Sequence, residues 1–293
     1  MNEARIEERR RVLATANVAA AFRALEAEKG AAALVVDECA AFFAGDEAQS
    51  RVAAMNARQR AFLTEMMAVR TRCFDEECVA FLSRFLADGS PHANGRPPAQ
   101  AVFLGAGYDS RAYRLREMRC AAVYEADQAA LFPAKTELLR ARGIGPTAER
   151  VVPVEIDFAE KALIPALLAA GFDPAQPTIW VAEGLLPYLS EAVAKSLVCE
   201  TAAISAAGSK FAATMSDRSV AEAIVAFGGA PRETGGNRWQ RSCFTSRDDG
   251  LAMLAAAGWA GTQRSLYEIG AAYGRGQCLR DFDCRIVVAE KRA

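Results

Sequence analysis

Only one histidine, His92, occurs in 293 residues. A zinc site would have to be built almost wholly from cysteine and carboxylate. A histidine general base has a single candidate, in a Pro/Gly-rich loop where an exposed side chain is expected. The eight cysteines (Cys39, Cys73, Cys78, Cys120, Cys199, Cys243, Cys278 and Cys284) are scattered and form no CxxC pair. Reduced thiols in a cytoplasmic protein, many of them buried as small hydrophobes, are expected. Neither charge is in excess: 35 Lys plus Arg face 36 Asp plus Glu, a formal net charge of −1. That balance excludes a nucleic-acid binder working by bulk charge and a polybasic membrane-surface protein. No apolar run approaches the roughly 18–20 residues that span a bilayer; the candidates Ala162–Gly171 and Pro177–Leu189 are short and contain Pro, Gly or Glu. The N-terminus (MNEARIEERRRVLATA) mixes Glu and Arg with no apolar core, so no signal peptide is expected. Internal repeats and low-complexity tracts are absent.

What is present is the composition of a soluble globular chain, 52% hydrophobic and 24% charged. Residues 1–87 read as helical, with apolar residues recurring at three and four: Val12, Ala16, Ala19, Ala20, Phe22 and Leu25, then Val52, Met55, Phe62, Met66, Met67 and Val69, then Cys78, Val79, Phe81, Leu82, Phe85 and Leu86. These stripes suit core packing. Residues 88–99 (DGSPHANGRPPA) read as a linker. After it, short apolar runs alternate with helical segments. The runs are Ala101–Leu104, Cys120–Tyr124, Val151–Ile156, Thr178–Ala182 and Lys210–Met215; the helices are Gln128–Arg142, Glu160–Ala170 and Glu191–Ala206. This alternation predicts βαβ units and a buried parallel sheet. Residues 216–245 read as a loop-rich insertion, Arg247–Ala257 as a helix, and Gly261–Tyr267 and Phe282–Glu290 as an antiparallel hairpin at the sheet's edge. Two parts are expected: a helical cap and linker over 1–97 and an α/β domain over 98–293.

In an open α/β sheet, ligands bind beyond the carboxyl ends of the strands. Each strand end here carries a distinctive residue. The first runs into Gly105-Ala106-Gly107-Tyr108-Asp109, where missing Cβ atoms admit a ligand to the backbone. Ser110 spoils a GxGxxG dinucleotide fingerprint, and Asp109 disfavours a pyrophosphate. The second ends at Glu125-Ala126-Asp127, with Asp127 20 residues after Gly107, where an acid takes ribose hydroxyls. The third and fourth end at Asp157-Phe158 and Glu183-Gly184. Acids crowded along one edge are costly unless compensated. A cationic ligand rich in donors relieves them, and S-adenosylmethionine is such a ligand; its carboxylate calls for an arginine.

Several segments together resemble the leucine carboxyl methyltransferase family, in its bacterial branch linked to polyketide and other secondary metabolism. They are Val69-Arg70-Thr71-Arg72-Cys73-Phe74-Asp75, VFLGAGYDSRAYRL (102–115), VYEADQ (123–128), EIDF (155–158), PTIWVAEGLLPYL (177–189) and the opening helices over 15–45. The resemblance implies a Rossmann-like class I methyltransferase fold: a mostly parallel seven-stranded sheet with helices on both faces, a helical cap and a lid insertion. It implies S-adenosylmethionine as cofactor, with Arg70 on the methionyl carboxylate, Gly105 and Gly107 along the backbone approach, and Asp127 on the ribose with Glu125 nearby. Asp157 and Phe158 would flank the adenine, Glu183 would face the methionyl ammonium or the substrate mouth, and Tyr188 would line the acceptor pocket. Arg111 and Arg114 match a basic pair read as structural. Glu38, Cys73 and Phe158 depart from the family's usual proline, larger apolar residue and leucine.

Methyl transfer from a sulfonium is an in-line displacement that chiefly needs alignment and dryness. A carboxylate acceptor is already ionised, whereas a hydroxyl benefits from a base. With no histidine base in evidence, the reading leans to O-methylation of a carboxylate on a small acceptor; Glu183 or a tyrosine could assist a hydroxyl. Phe22, Phe42, Phe43, Phe227, Arg232, Arg238 and Trp239 are candidate cap contacts. The alternatives are a methyltransferase for a protein C-terminal carboxylate, a nicotinamide-dependent oxidoreductase using the GAG turn, and a non-catalytic nucleoside-binding protein.

Overall fold

A computed structural model describes residues 3–87, 97–216 and 249–292. His92, Cys243 and the insertion candidates Phe227, Arg232, Arg238 and Trp239 lie outside these ranges, as does all of the insertion but residue 216.

Seven strands form one sheet: β1 (Ala99–Leu104), β2 (Ala121–Asp127), β3 (Arg150–Glu155), β4 (Thr178–Ala182), β5 (Lys210–Ser216), β6 (Trp259–Ser265) and β7 (Cys284–Lys291). Their order is β3-β2-β1-β4-β5-β7-β6. The first five pair in parallel, while β7 runs antiparallel between β5 and β6. The chain leaves β1 toward β2 and β3 on one side and returns to β4 and β5 on the other, so the switch point lies at the carboxyl ends of β1 and β4.

The central strands are buried on both faces, as their unbroken apolar runs require. Ala99, Ala101 and Phe103 of β1 pack with Val123 and Ile179 against the N-terminal helices. Val102 and Leu104 point the other way, onto Tyr124, Trp180, Leu167 and Leu197. Two helices on that second face supply Leu167 and Leu197: α6 (Leu163–Ala169) and α7 (Glu191–Ala203). Edge strand β3 carries Pro153, whose missing N–H would break the ladder of a central strand.

The N-terminal helices are α1 (Glu3–Ala27), α2 (Ala40–Ala53) and α3 (Ala57–Ala87). The two separate stretches expected after α1 prove to be divided differently. Val52 belongs to α2, and everything from Ala57 onward is one helix of 31 residues. No Gly or Pro interrupts that span, and Asn56 caps its start by accepting from Gln59 N at 2.9 Å. Val69, Phe74, Cys78, Phe81 and Leu82 of α3 share one apolar cluster with the sheet face. Between β1 and β2 lies the single turn α4 (Arg111–Arg114), and α5 (Leu131–Arg140) follows β2.

The C-terminal strands pair antiparallel as expected, but not through a tight turn. Helices α8 (Asp249–Ala256) and α9 (Leu266–Ala272) flank β6, and α9 stands between β6 and β7. Tyr267, expected in the strand, is in α9, because Ser265 and Glu268 form a reciprocal capping box that starts a helix.

Gly261 of β6 lies so close to β7 that an added Cβ would sit 2.1 Å from the Val288 carbonyl oxygen. Gly261→Ala is expected to push the edge strand outward and lower stability by about 1–3 kcal/mol, the usual range for overpacking. Urea midpoints of the two proteins measure this; equal midpoints would show that the edge yields freely.

Candidate active site

Gly105 and Gly107 follow β1 with φ of 64° and 47°, in the left-handed region that favours glycine. At Gly105 space adds to the constraint, since a Cβ there would lie 3.0 Å from Leu185 Cδ1. The turn is tied to β2 by its backbone: Gly105 N donates to Ala126 O at 2.8 Å. Gly107 N donates to Asp127 Oδ2 and Gln128 N to Asp127 Oδ1, each at 2.7 Å. Asp127 is buried and has no ion pair among the described residues. Burial pushes its carboxyl up from the ordinary value, and the two backbone donors and then the charge of Lys135 oppose that rise.

Glu125 is fully enclosed and pairs with Lys135 of α5 at 2.7 Å, both side chains being 3% exposed or less. Burial raises its carboxyl and Lys135 counters the rise. Asp157 is only half-buried, accepting from Ala159 N at 2.9 Å, and Phe158 packs at the rim of the second-face core.

The fourth strand end is organised by charge. Glu183 Oε1 accepts from Arg70 Nε at 2.9 Å, and Glu183 Oε2 accepts from Arg111 Nη2 at 2.7 Å. Arg111, 2% exposed, also donates Nε to Asp75 Oδ1 at 2.7 Å and Nη1 to Asp109 Oδ2. Arg114 closes the cluster on both oxygens of Asp75. Burial alone would raise the Glu183 carboxyl, but Arg111 and then Arg70 overwhelm it and hold it down at about 2. Burial alone would lower the Arg111 pKa, yet Asp109, Glu183 and Asp75 raise it well above its ordinary value. Tyr188, half-buried on the turn after β4, has its hydroxyl pushed up by burial, with the charge of Arg70 opposing.

This geometry changes two expectations. Asp109 is expected from sequence to disfavour a pyrophosphate, but its charge is matched by Arg111. The crowded acids were read as needing a ligand for relief, but Glu125 is matched by Lys135, and Glu183 by Arg70 and Arg111. Asp127 and Asp157, by contrast, form no ion pair among the described residues.

The cap reaches the same place. Arg23 of α1 donates Nε to Asp37 at 2.8 Å and Nη2 to the Tyr108 carbonyl at 2.7 Å. Phe43 stacks on Tyr108, ring centroids 4.8 Å apart. Phe22 and Phe43 are buried core residues, and Phe42 lies under the Arg142 guanidinium. Glu38, where proline was expected, is exposed and disturbs none of this. Sequence reasoning had left Asp37 and Asp75 without a role. Asp75 reaches Arg111 with its carboxylate, and one turn earlier on α3 the Thr71 backbone carbonyl accepts from Arg111 Nη2 at 3.3 Å. Nothing local marks the pairing, since Asp75 and Arg111 are 36 positions apart.

Comparison with known proteins follows from the same segments. The sequence pattern of the leucine carboxyl methyltransferase family matches residues 16–202. The chain belongs to the leucine carboxyl methyltransferase family. It is a methyltransferase with the Rossmann-like class I fold. A Mycobacteroides abscessus protein, provisionally named an S-adenosyl-L-methionine-dependent methyltransferase, is 36% identical over 278 residues, covering 91% of this chain and 87% of its own. A similarly named Streptomyces avermitilis protein is 36% identical over 197 residues, covering 67% of each chain. Human N-acetylserotonin methyltransferase, solved in complex with S-adenosylmethionine, matches at 12% identity and a TM-score of 0.44, over 83% of this chain and 56% of its own. Among the described residues no helix is long and apolar enough to cross a membrane, and no group of three or more His, Cys, Asp or Glu could hold a metal ion.

Because the folded Glu183 carboxyl titrates at about 2 against an ordinary 4.5, the unfolded chain binds a proton in that window that the folded chain does not. Its stabilisation is complete above about pH 4.5 and is lost as the pH falls toward 2. Glu183→Gln is therefore expected to flatten this part of the acid limb in urea unfolding. A variant with the wild-type slope would show that Glu183 is not held ionised.

Proposed function

We propose that this methyltransferase transfers the methyl group to a carboxylate oxygen of a small organic, polyketide-like acceptor. The observation that supports this is the state of Glu183. Both of its oxygens are engaged by guanidinium groups, and a carboxyl held at about 2 is too weak a base to deprotonate a hydroxyl. An ionised carboxylate needs no base.

S-adenosylmethionine is the cofactor, and it supplies a methyl group already activated on a sulfonium. The residues present fit it. At Gly105 and Gly107 the backbone itself is the surface offered, since a Cβ is disfavoured at both. Asp127 offers a carboxylate that forms no ion pair among the described residues, and each oxygen keeps an acceptor position after its one backbone donor, as two ribose hydroxyls need. Arg70 spends only Nε on Glu183; its two Nη groups form no hydrogen bond among the described residues and suit the methionyl carboxylate. Thr71 Oγ1, next to Arg70 in sequence, is buried without a partner.

In this reading Arg70, Gly105, Gly107 and Asp127 bind the cofactor, with Glu125 behind Asp127 holding Lys135 and α5 in place. Asp157 and Phe158 border the adenine. Glu183 fixes Arg70 and faces the methionyl ammonium, and Tyr188 lines the acceptor side. The chain's contribution to rate is alignment and exclusion of water. The family's description, a leucine carboxyl methyltransferase, favours a second acceptor of the same chemistry, the C-terminal carboxylate of a protein.

Calorimetry is expected to show S-adenosylhomocysteine binding that weakens by roughly ten- to a hundredfold in Asp127→Ala and in Arg70→Ala, the loss of one charged contact. No binding to the wild type would overturn the cofactor site. Transfer of labelled methyl to a panel of organic acids should yield a base-labile ester, at a rate nearly level between about pH 6 and 9 because no enzyme group must first lose a proton. A base-stable ether, formed faster as pH rises, would exclude the carboxylate reading. Labelling only of peptides, abolished by C-terminal amidation, would move the acceptor to protein.

A further inference from the structure

We infer that Arg111 is a positioning residue for cofactor binding, acting through Glu183 on Arg70. The inference rests on the cofactor site proposed above and extends it to a side chain that touches no ligand there.

Arg70 lies on α3, Glu183 follows β4, and Arg111 opens the turn after the glycine loop, so three separate elements meet at one carboxylate. Glu183 bridges two guanidinium groups, one on each oxygen. Only one of these is anchored elsewhere. Among the described residues Arg70 forms no hydrogen bond but that to Glu183, whereas Arg111 is locked by Asp75 on Nε, Asp109 on Nη1 and the Thr71 carbonyl on Nη2. Arg111 is thus the fixed end of the chain and Arg70 the free end. Remove the fork at 111 and Glu183 keeps its charge but loses its orientation, and Arg70 loses the direction in which its Nη groups are presented. A lysine at 111 would retain the charge that Asp75 and Asp109 require, but as a point charge it cannot serve three acceptors in one plane. Asp109 connects this assembly to the glycine turn, its Oδ1 accepting from Arg111 N at 2.8 Å.

A purely architectural role and a positioning role differ in which part of the ligand they affect. The test compares S-adenosylhomocysteine with 5′-methylthioadenosine, which keeps the adenosine and thioether but lacks the amino-acid carboxylate and ammonium. Calorimetry on the wild type, Arg70→Lys and Arg111→Lys is expected to show both variants losing about tenfold for S-adenosylhomocysteine, with methylthioadenosine affinity unchanged. Equal losses for the two ligands in Arg111→Lys, or no loss for either, would overturn the inference while leaving the cofactor site standing. A wild type that binds neither ligand would overturn the cofactor site, and the inference with it. If Arg111→Lys does not fold, Asp109→Asn, which loosens one anchor and keeps the turn's Oδ1 acceptor, should give the same selective loss at smaller amplitude; an unselective loss there overturns the inference.

Discussion

A guanidinium taken out of water is stable only where its donors are met by acceptors and its charge by opposite charge. Arg111 meets both conditions with Asp75 from α3, its neighbour Asp109, and Glu183 from the end of β4. Each partner comes from a different place in the chain, so the cap, the glycine turn and the switch point can assemble in one relative position only. Three arginines, Arg70, Arg111 and Arg114, face three carboxylates here, which is why so much charge can be enclosed beside an apolar core. Breaking one such pair leaves an uncompensated buried charge, at a cost of about 3–5 kcal/mol, whereas the intact cluster contributes mainly geometry.

Smaller clamps repeat this logic around the cap. Arg23 joins Asp37 to the Tyr108 carbonyl, so α1 is held to the glycine turn through backbone as well as side chain. On the far side, Arg275 reaches Glu26 of α1 and Glu65 of α3, and Gly276 N donates to Glu65 at 2.8 Å. Burial would raise both glutamates, but Arg275 and Lys29 keep them below their ordinary values. The segment after α9 is thereby fastened to helices more than two hundred residues earlier in the chain.

Within the site, environment separates carboxylates that look alike in sequence. Asp127 sits against backbone donors without an ion pair among the described residues and is pushed up by burial; Glu183 sits between two arginines and is driven down to about 2. The first retains acceptor capacity for neutral hydroxyl groups. The second is a fixed negative post. This difference, and not the number of acids at the sheet edge, separates a ligand-holding residue from one that orients another residue.

The alternation of apolar runs and helical stretches was enough to place the five parallel strands, because a strand buried on both faces must be apolar throughout. The glycines at 105 and 107 and the acids at 125, 127, 157 and 183 stood out for a similar reason: each follows directly from where a strand ends. Local pattern also marked the terminal antiparallel pair, though a capping box at Ser265 turned the end of its first strand into helix. What the sequence by itself determined was therefore the order of elements and which residues reach the carboxyl edge of the sheet. It could not say which charges would meet. Arg70 and Glu183 are 113 positions apart, and Arg111 and Glu183 72, and nothing local to any of them records the partner. Only the tertiary structure decided that Asp109 and Glu183 form ion pairs with a buried arginine while Asp127 meets backbone donors instead, because pairing over such distances is set by how α3, α4 and β4 pack.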